Sequence, residues 1–129
     1  MIVDTSAIVA ILNGESEEPR CTDALIDAPI RRISAGNLLE AYMRIDRSDL
    51  PRPRQLVDEL LDRFDLTVVP VTRAQIVVAR AAFHRYGKGS GHGAGLNYGD
   101  CFAYSLARQT GEPLLFVGND FGKTDIDVA

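Results

Sequence analysis

The sequence is 129 residues long, enough for one domain with a sizeable core. Its apolar share of 46% and charged share of 25% are those of an ordinary globular chain. A net charge of −4 argues against a dedicated basic nucleic-acid module, which would more often be positive, but it is compatible with an enzyme that holds a divalent cation among acids.

Two cysteines, Cys21 and Cys101, make neither a disulfide framework nor a zinc site, so free thiols in a reducing cytoplasm are expected. No apolar run approaches transmembrane length. The first 12 residues carry no Lys or Arg and are interrupted by Asp4, so they are not read as a secretion signal.

Met1-Ile2-Val3 is a short apolar stub that runs into Asp4, then Thr5 and Ser6, then a longer apolar run to Leu12. This predicts a buried strand ending at Asp4, with a helix starting at Thr5 or Ser6. In open α/β sheets ligands sit at such strand ends. Asp4 is therefore a candidate metal ligand, although capping alone is the commoner role of a lone aspartate there. Glu40, Asp100 and Asp120 also stand beside apolar segments.

Asn13-Gly14 stops the first helix. A second is predicted from Glu15–Glu18, with acids favoured in its first turn and Pro19 tolerated there. Leu25 and Ile26 are expected to face inward. Ala28-Pro29 ends it, and residues 30–33 read as a short strand. Ser34 is a candidate N-cap for a helix whose inward face is Leu38, Leu39, Tyr42 and Ile45. Glu40 then falls at the border of that stripe, where its carboxylate can enter a cleft. The competing role is a solvated pair with Arg44, of a few tenths of a kcal/mol.

Leu50-Pro51-Arg52-Pro53 is a break. Leu56, Val57, Leu60, Leu61 and Phe64 mark an amphipathic helix. Residues 66–69 read as a strand bounded by Pro70. Thr72 is expected to cap a helix that turns Ile76, Ala79, Phe83 and Tyr86 to one side, with Gly87 at its end. Five glycines then fall among residues 87–95. They lack the Gly-Lys-Ser/Thr ending of a phosphate loop and follow a helix, so a mobile loop beside the active site is expected instead. Lys88 and His92 are its candidate phosphate contacts.

Asp100 sits in the first turn of a helix with a buried stripe of Phe102, Ala103, Leu106 and Ala107. That placement alone is favourable by about 0.3–1 kcal/mol. Pro113–Val117 is a strong buried strand. Asp120 follows it, in a position where a turn residue is also ordinary. Lys123–Val128 is expected to add a last short strand. Helices and short strands alternate throughout. The prediction is a single α/β domain over residues 1–129 with a mainly parallel sheet, its strand order open.

Four segments carry a family resemblance: Met1–Ser6, Ser34–Glu40, Leu96–Tyr104 and Glu112–Phe121. In this order and at this length the chain resembles the PIN-domain ribonucleases, specifically the VapC toxins of VapBC toxin–antitoxin pairs. The resemblance implies a three-layer α/β/α fold with acids clustered at one end of the sheet. It implies endoribonuclease activity with Mg²⁺, or Mn²⁺ in its place, on structured RNA such as a tRNA or an rRNA loop. By position, Asp4, Glu40 and Asp100 match the best-defined acids. For the last acidic position Asn119, Asp120 and Asp125 compete, and Asp120 is favoured because it carries charge. Thr5 or Ser6 fits the polar residue beside the first acid. The resemblance also implies a homodimer and a VapB-type antitoxin, for which the Leu50–Leu66 region is a candidate docking surface.

On this reading Asp4 and Asp100 are direct ligands. Glu40 acts through water, and Asp120 completes the cluster or holds a second ion. Substrate grip is expected from Arg44, Arg47, Arg52 and Arg54, or from Arg80, Arg85 and Lys88. The alternatives are a PIN-like nuclease acting on DNA and a non-catalytic regulatory domain such as a phospho-acceptor receiver. A receiver needs a paired acid at its first strand, and Asp4 stands alone.

Overall fold

A computed structural model describes residues 1–129. Four short parallel strands form the sheet in the order β3-β2-β1-β4: β1 (Ile2–Val3), β2 (Arg32–Ser34), β3 (Thr67–Val69) and β4 (Leu114–Leu115). The helices are α1 (Thr5–Asn13), α2 (Glu18–Asp27), α3 (Ala35–Ile45), α4 (Pro53–Phe64), α5 (Arg73–Tyr86) and α6 (Tyr98–Thr110). Parallel neighbours need crossovers, and helices supply them. The chain steps outward from β1 to β2 and β3, then returns to the other side of β1 as β4. This reversal makes a crevice at the carboxyl ends of β1 and β4.

Alternation along the strands splits the core into two layers. Val3, Ile33 and Leu115 pack with Ala7, Ile8, Leu25, Ala41, Ile45, Val57, Leu60 and Phe64, under α1–α4. Ile2, Leu114 and Phe116 pack with Ala82, Tyr86, Ala103, Leu106 and Ala107, under α5 and α6. Each fully buried Leu or Ile contributes about 1.5–3 kcal/mol. The parallel α/β domain is the one expected from the alternation of elements, and its α/β/α layering is the one that the family resemblance implies. No helix is long and apolar enough to cross a membrane.

The predicted caps form. Ser34 accepts from the Gly36 amide at the start of α3. Thr72 and Gln75 make a reciprocal capping box on α5. A second capping box, not foreseen, joins Asn97 and Asp100 on α6. Gly14 ends α1 at φ +64°, a conformation that favours glycine. Cys21 and Cys101 are free and buried.

Several predicted faces are rotated. Leu39 (61% exposed) lies outside, and the buried stripe of α3 is Asn37, Ala41 and Ile45. Ile26, Ile76 and Phe83 are also exposed, while Ala79, Ala82 and Tyr86 form the inward face of α5. The second strand begins at Arg32, two residues later than its apolar pattern suggests. The C-terminal segment contributes a single bridge, Val128 to Leu114, after a 3₁₀ turn at Phe121–Lys123. The α4 helix turns Val57, Leu60 and Phe64 into the core and leaves Leu56 and Leu61 half-buried.

The glycine-rich segment is tied at both ends. The Leu96 amide donates to Tyr86 and the Lys88 amide to Leu96. Ala94 and Leu96 are buried, and the His92 ring stands edge-on to Tyr86 at 4.8 Å.

Candidate active site

The crevice between β1 and β4 opens into a cavity of about 130 Å³ lined by Asp4, Thr5, Ser6, Glu40, Arg44, Asn97, Asp100, Val117, Asp120 and Phe121. All four acids singled out in the sequence therefore meet at one place. Asp4 comes from the end of β1, Glu40 from α3, Asp100 from the first turn of α6, and Asp120 from the turn after β4. Asn119 does not line this cavity, and Asp125 lies in another, where it accepts a hydrogen bond from the Tyr104 hydroxyl at 2.7 Å.

Asp4 caps α1 as its sequence position suggests. Its Oδ2 accepts from the Ser6 amide at 2.8 Å and the Ser6 hydroxyl at 2.6 Å. Ser6 Oγ in turn accepts from the Val117 amide at 2.9 Å, tying α1 to the segment after β4. The other oxygen, Oδ1, accepts from Asn37 Nδ2 at 3.3 Å. The Thr5 hydroxyl lies 3.1 Å from both Glu40 Oε2 and the Asn37 carbonyl. Its single proton serves one of them at a time. Asp100 Oδ2 accepts from the Asn97 amide at 2.7 Å.

Burial raises the pKa of Asp4, opposed by its Ser6 hydrogen bonds and by the Arg44 charge. Asp100 is pushed up to about 6, first by burial and then by the charges of Asp4, Asp120 and Glu40, against the Asn97 amide. The cavity thus concentrates negative charge that its one cation, Arg44, only partly offsets.

The donor set is all oxygen, which suits a hard divalent cation such as Mg²⁺. No three of the acids are drawn together tightly enough to form a ready metal cluster. Asp4, Glu40 and Asp100 each have an oxygen in a protein hydrogen bond. Mg²⁺ commonly takes one or two carboxylates and completes its octahedron with water and phosphate. The residues fit that mode better than an all-protein cage.

Three contributors escape a periodicity reading. Asn37 is a fully buried polar residue on what looks like an apolar face. Asn97 shapes the α6 terminus. Gly99 leaves room for the Glu40 carboxylate, which a side chain there would overlap. The Asn97–Asp100 spacing of a capping box was the one available signal among them. Of the basic candidates only Arg44 lines the cavity. Arg80 and Lys88 line a separate one with His84, Gly89 and Ser90, and neither Lys88 nor His92 reaches the acids.

The PIN domain family model matches residues 1–127. Ribonuclease VapC28 of Mycobacterium tuberculosis is 48% identical over 129 residues, covering 100% of this chain and 97% of the relative. Ribonuclease VapC42 of the same species is 51% identical over 126 residues, covering 98% and 96%. Among solved structures, M. tuberculosis VapC20, described as a sarcin–ricin loop cleaving toxin, superposes with a TM-score of 0.80 at 17% identity. The match covers 99% of this chain and 97% of that one. A toxin–antitoxin complex from Klebsiella pneumoniae gives a TM-score of 0.75 at 16% identity, covering 99% and 95%. These structural matches support the fold, and the sequence matches carry the family. The chain belongs to the PIN-domain family, among the VapC ribonucleases.

Proposed function

We propose that the protein is a metal-dependent endoribonuclease that acts as the toxin of a toxin–antitoxin pair and cuts structured RNA. The observation that carries this reading is the meeting of Asp4, Glu40, Asp100 and Asp120 in one cavity at the switch point of the sheet. Phosphodiester hydrolysis needs an activated water and neutralisation of charge on the phosphate. A bound Mg²⁺ or Mn²⁺ supplies both. Asp4 and Asp100 are the residues that would hold the cation. Glu40, hydrogen-bonded to Thr5, would orient the attacking water. Asp120, from the other side of the crevice, completes the negative site. Arg44 supplies the positive charge for a substrate phosphate, which a guanidinium binds in a fixed fork.

The substrate class rests on relatives. VapC20 is described as cleaving the sarcin–ricin loop, a structured RNA. We assign this chain a tRNA or rRNA loop as target. A VapB-type antitoxin partner is supported by the related complexes from K. pneumoniae and Rickettsia felis. A homodimer is supported by exposed apolar side chains on three helices: Leu39 and Met43, Ile76 and Phe83, and Tyr98.

The test is cleavage of mixed cellular RNA by wild type and Asp100→Asn with Mg²⁺, Mn²⁺ or EDTA, with single-stranded DNA as a control. A defined RNA cut that needs metal and Asp100 is the expected result. Equal cutting in EDTA, or by the variant, overturns the mechanism. Sequencing of the cut ends identifies the RNA.

A further inference from the structure

Asn37 is fully buried on α3, one turn before Glu40. Its Nδ2 lies 3.3 Å from Asp4 Oδ1, 3.2 Å from Thr5 Oγ1 and 3.1 Å from the Gly99 carbonyl. A carboxamide has two N–H donors, so the three acceptors share them. These acceptors belong to the two segments that bear Asp4 and Asp100. One side chain thus spans the start of α1 and the start of α6 from the helix that carries Glu40.

The opposite end of the same side chain is unsatisfied: Asn37 Oδ1 is buried and has no donor. Most buried polar atoms are paired, and an exception calls for an explanation. A residue selected only for packing would be apolar here, because the rest of the buried α3 stripe is Ala41 and Ile45. The donor end supplies the reason to keep an amide. A carboxylate turns broadly about its last torsion. The Asp4 carboxylate is pinned by Ser6 on Oδ2 and by Asn37 on Oδ1.

We propose that Asn37 is a positioning residue of the cleavage site: its amide fixes the Asp4 carboxylate, and the Thr5 hydroxyl that reaches Glu40, in the orientation that receives a divalent cation. This assignment rests on the metal-dependent reading above. The Asp4 and Thr5 contacts act as outer-shell support, whose loss typically weakens metal binding about 10–100-fold.

The experiment compares wild type with Asn37→Leu, which keeps the branched four-atom side chain without a donor, and Asn37→Ser, which adds neither bulk nor charge. Mn²⁺ affinity is measured calorimetrically without RNA, then kcat and KM on RNA, alongside melts in EDTA. The expected result is a cooperative melt for at least one variant, Mn²⁺ affinity down about tenfold or more, lower kcat and unchanged KM. A folded variant with wild-type Mn²⁺ affinity overturns the positioning role. So does loss of folding in both variants, which makes Asn37 a residue of the core. Wild type that cleaves RNA without taking up Mn²⁺ ends the metal reading itself, and this assignment with it.

Discussion

The backbone of Gly99 lies directly against the Glu40 carboxylate, and a Cβ at position 99 would occupy the space of its Oε2. The first turn of α6 is thereby shaped around an acid on α3. Glycine costs roughly 0.5–1 kcal/mol relative to alanine inside a helix. Its presence here is explained by the close approach of the two segments.

Gly99→Ala is therefore expected to displace Glu40 without unfolding the protein. An error of about 1 Å at a reacting centre can lower the rate about 10²-fold. RNA cleavage should fall on that scale while the melting temperature moves by only a few degrees. Unchanged cleavage would mean that Glu40 does not act from this position.

Asp100 gives a pH signature. Its folded pKa is raised from 3.8 to about 6, so the native state binds the extra proton. In metal-free protein this group lowers stability as pH rises from about 4 to about 6, and the full penalty persists above that. The raised Asp4 acts in the same direction. Glu112 and Asp125 have lowered values, and their opposite effects fall at more acid pH. Melting temperature in EDTA should therefore rise as pH is lowered from 7 to 5. Asp100→Asn should flatten that slope, and a slope equal to wild type would contradict the assignment.

Metal should stabilise the protein through the same acids. A ligand at a hundred times its Kd adds about 2.7 kcal/mol. Mn²⁺ should raise the melting temperature of wild type by several degrees, and of Asp4→Asn far less. Asp120→Asn should reduce the shift. Asp125→Asn should retain it, because Asp125 is engaged by Tyr104 in another cavity. The reverse order would move the fourth acid to Asp125.

Arg44 should be felt in RNA binding even without metal. Each phosphate contact contributes about 0.7–0.9 to the slope of log affinity against log salt. In an Asp4→Asn background assayed in EDTA, Arg44→Ala should lower that slope by nearly one contact. Arg52→Ala should leave it unchanged, because Arg52 already faces Glu59 at 3.7 Å, away from the cavity. Filter binding across a salt series makes the comparison.

Much of this protein is written locally. The alternation of short apolar strands with capped helices determined the α/β class, since strand period, cap residues and glycine stops act over a few neighbouring positions. Asp4 and Asp100 stand out for the same reason, as acids at element starts or ends, and Glu40 stands out as an acid at the edge of the α3 apolar stripe. Periodicity did not decide which of two adjacent apolar residues turns inward. Leu39 lies outside while Leu38 and Tyr42 of the same expected stripe are partly buried, and Ile76 and Phe83 lie outside while Ala79 and Tyr86 of theirs are buried. Only the tertiary structure separated Asp120 from Asp125, since the deciding partner, Tyr104, is 21 residues away from Asp125. The role of Asn37 likewise belongs to three segments at once. A buried amide is defined by the acceptors that the fold brings to it, and those acceptors lie on α1 and α6.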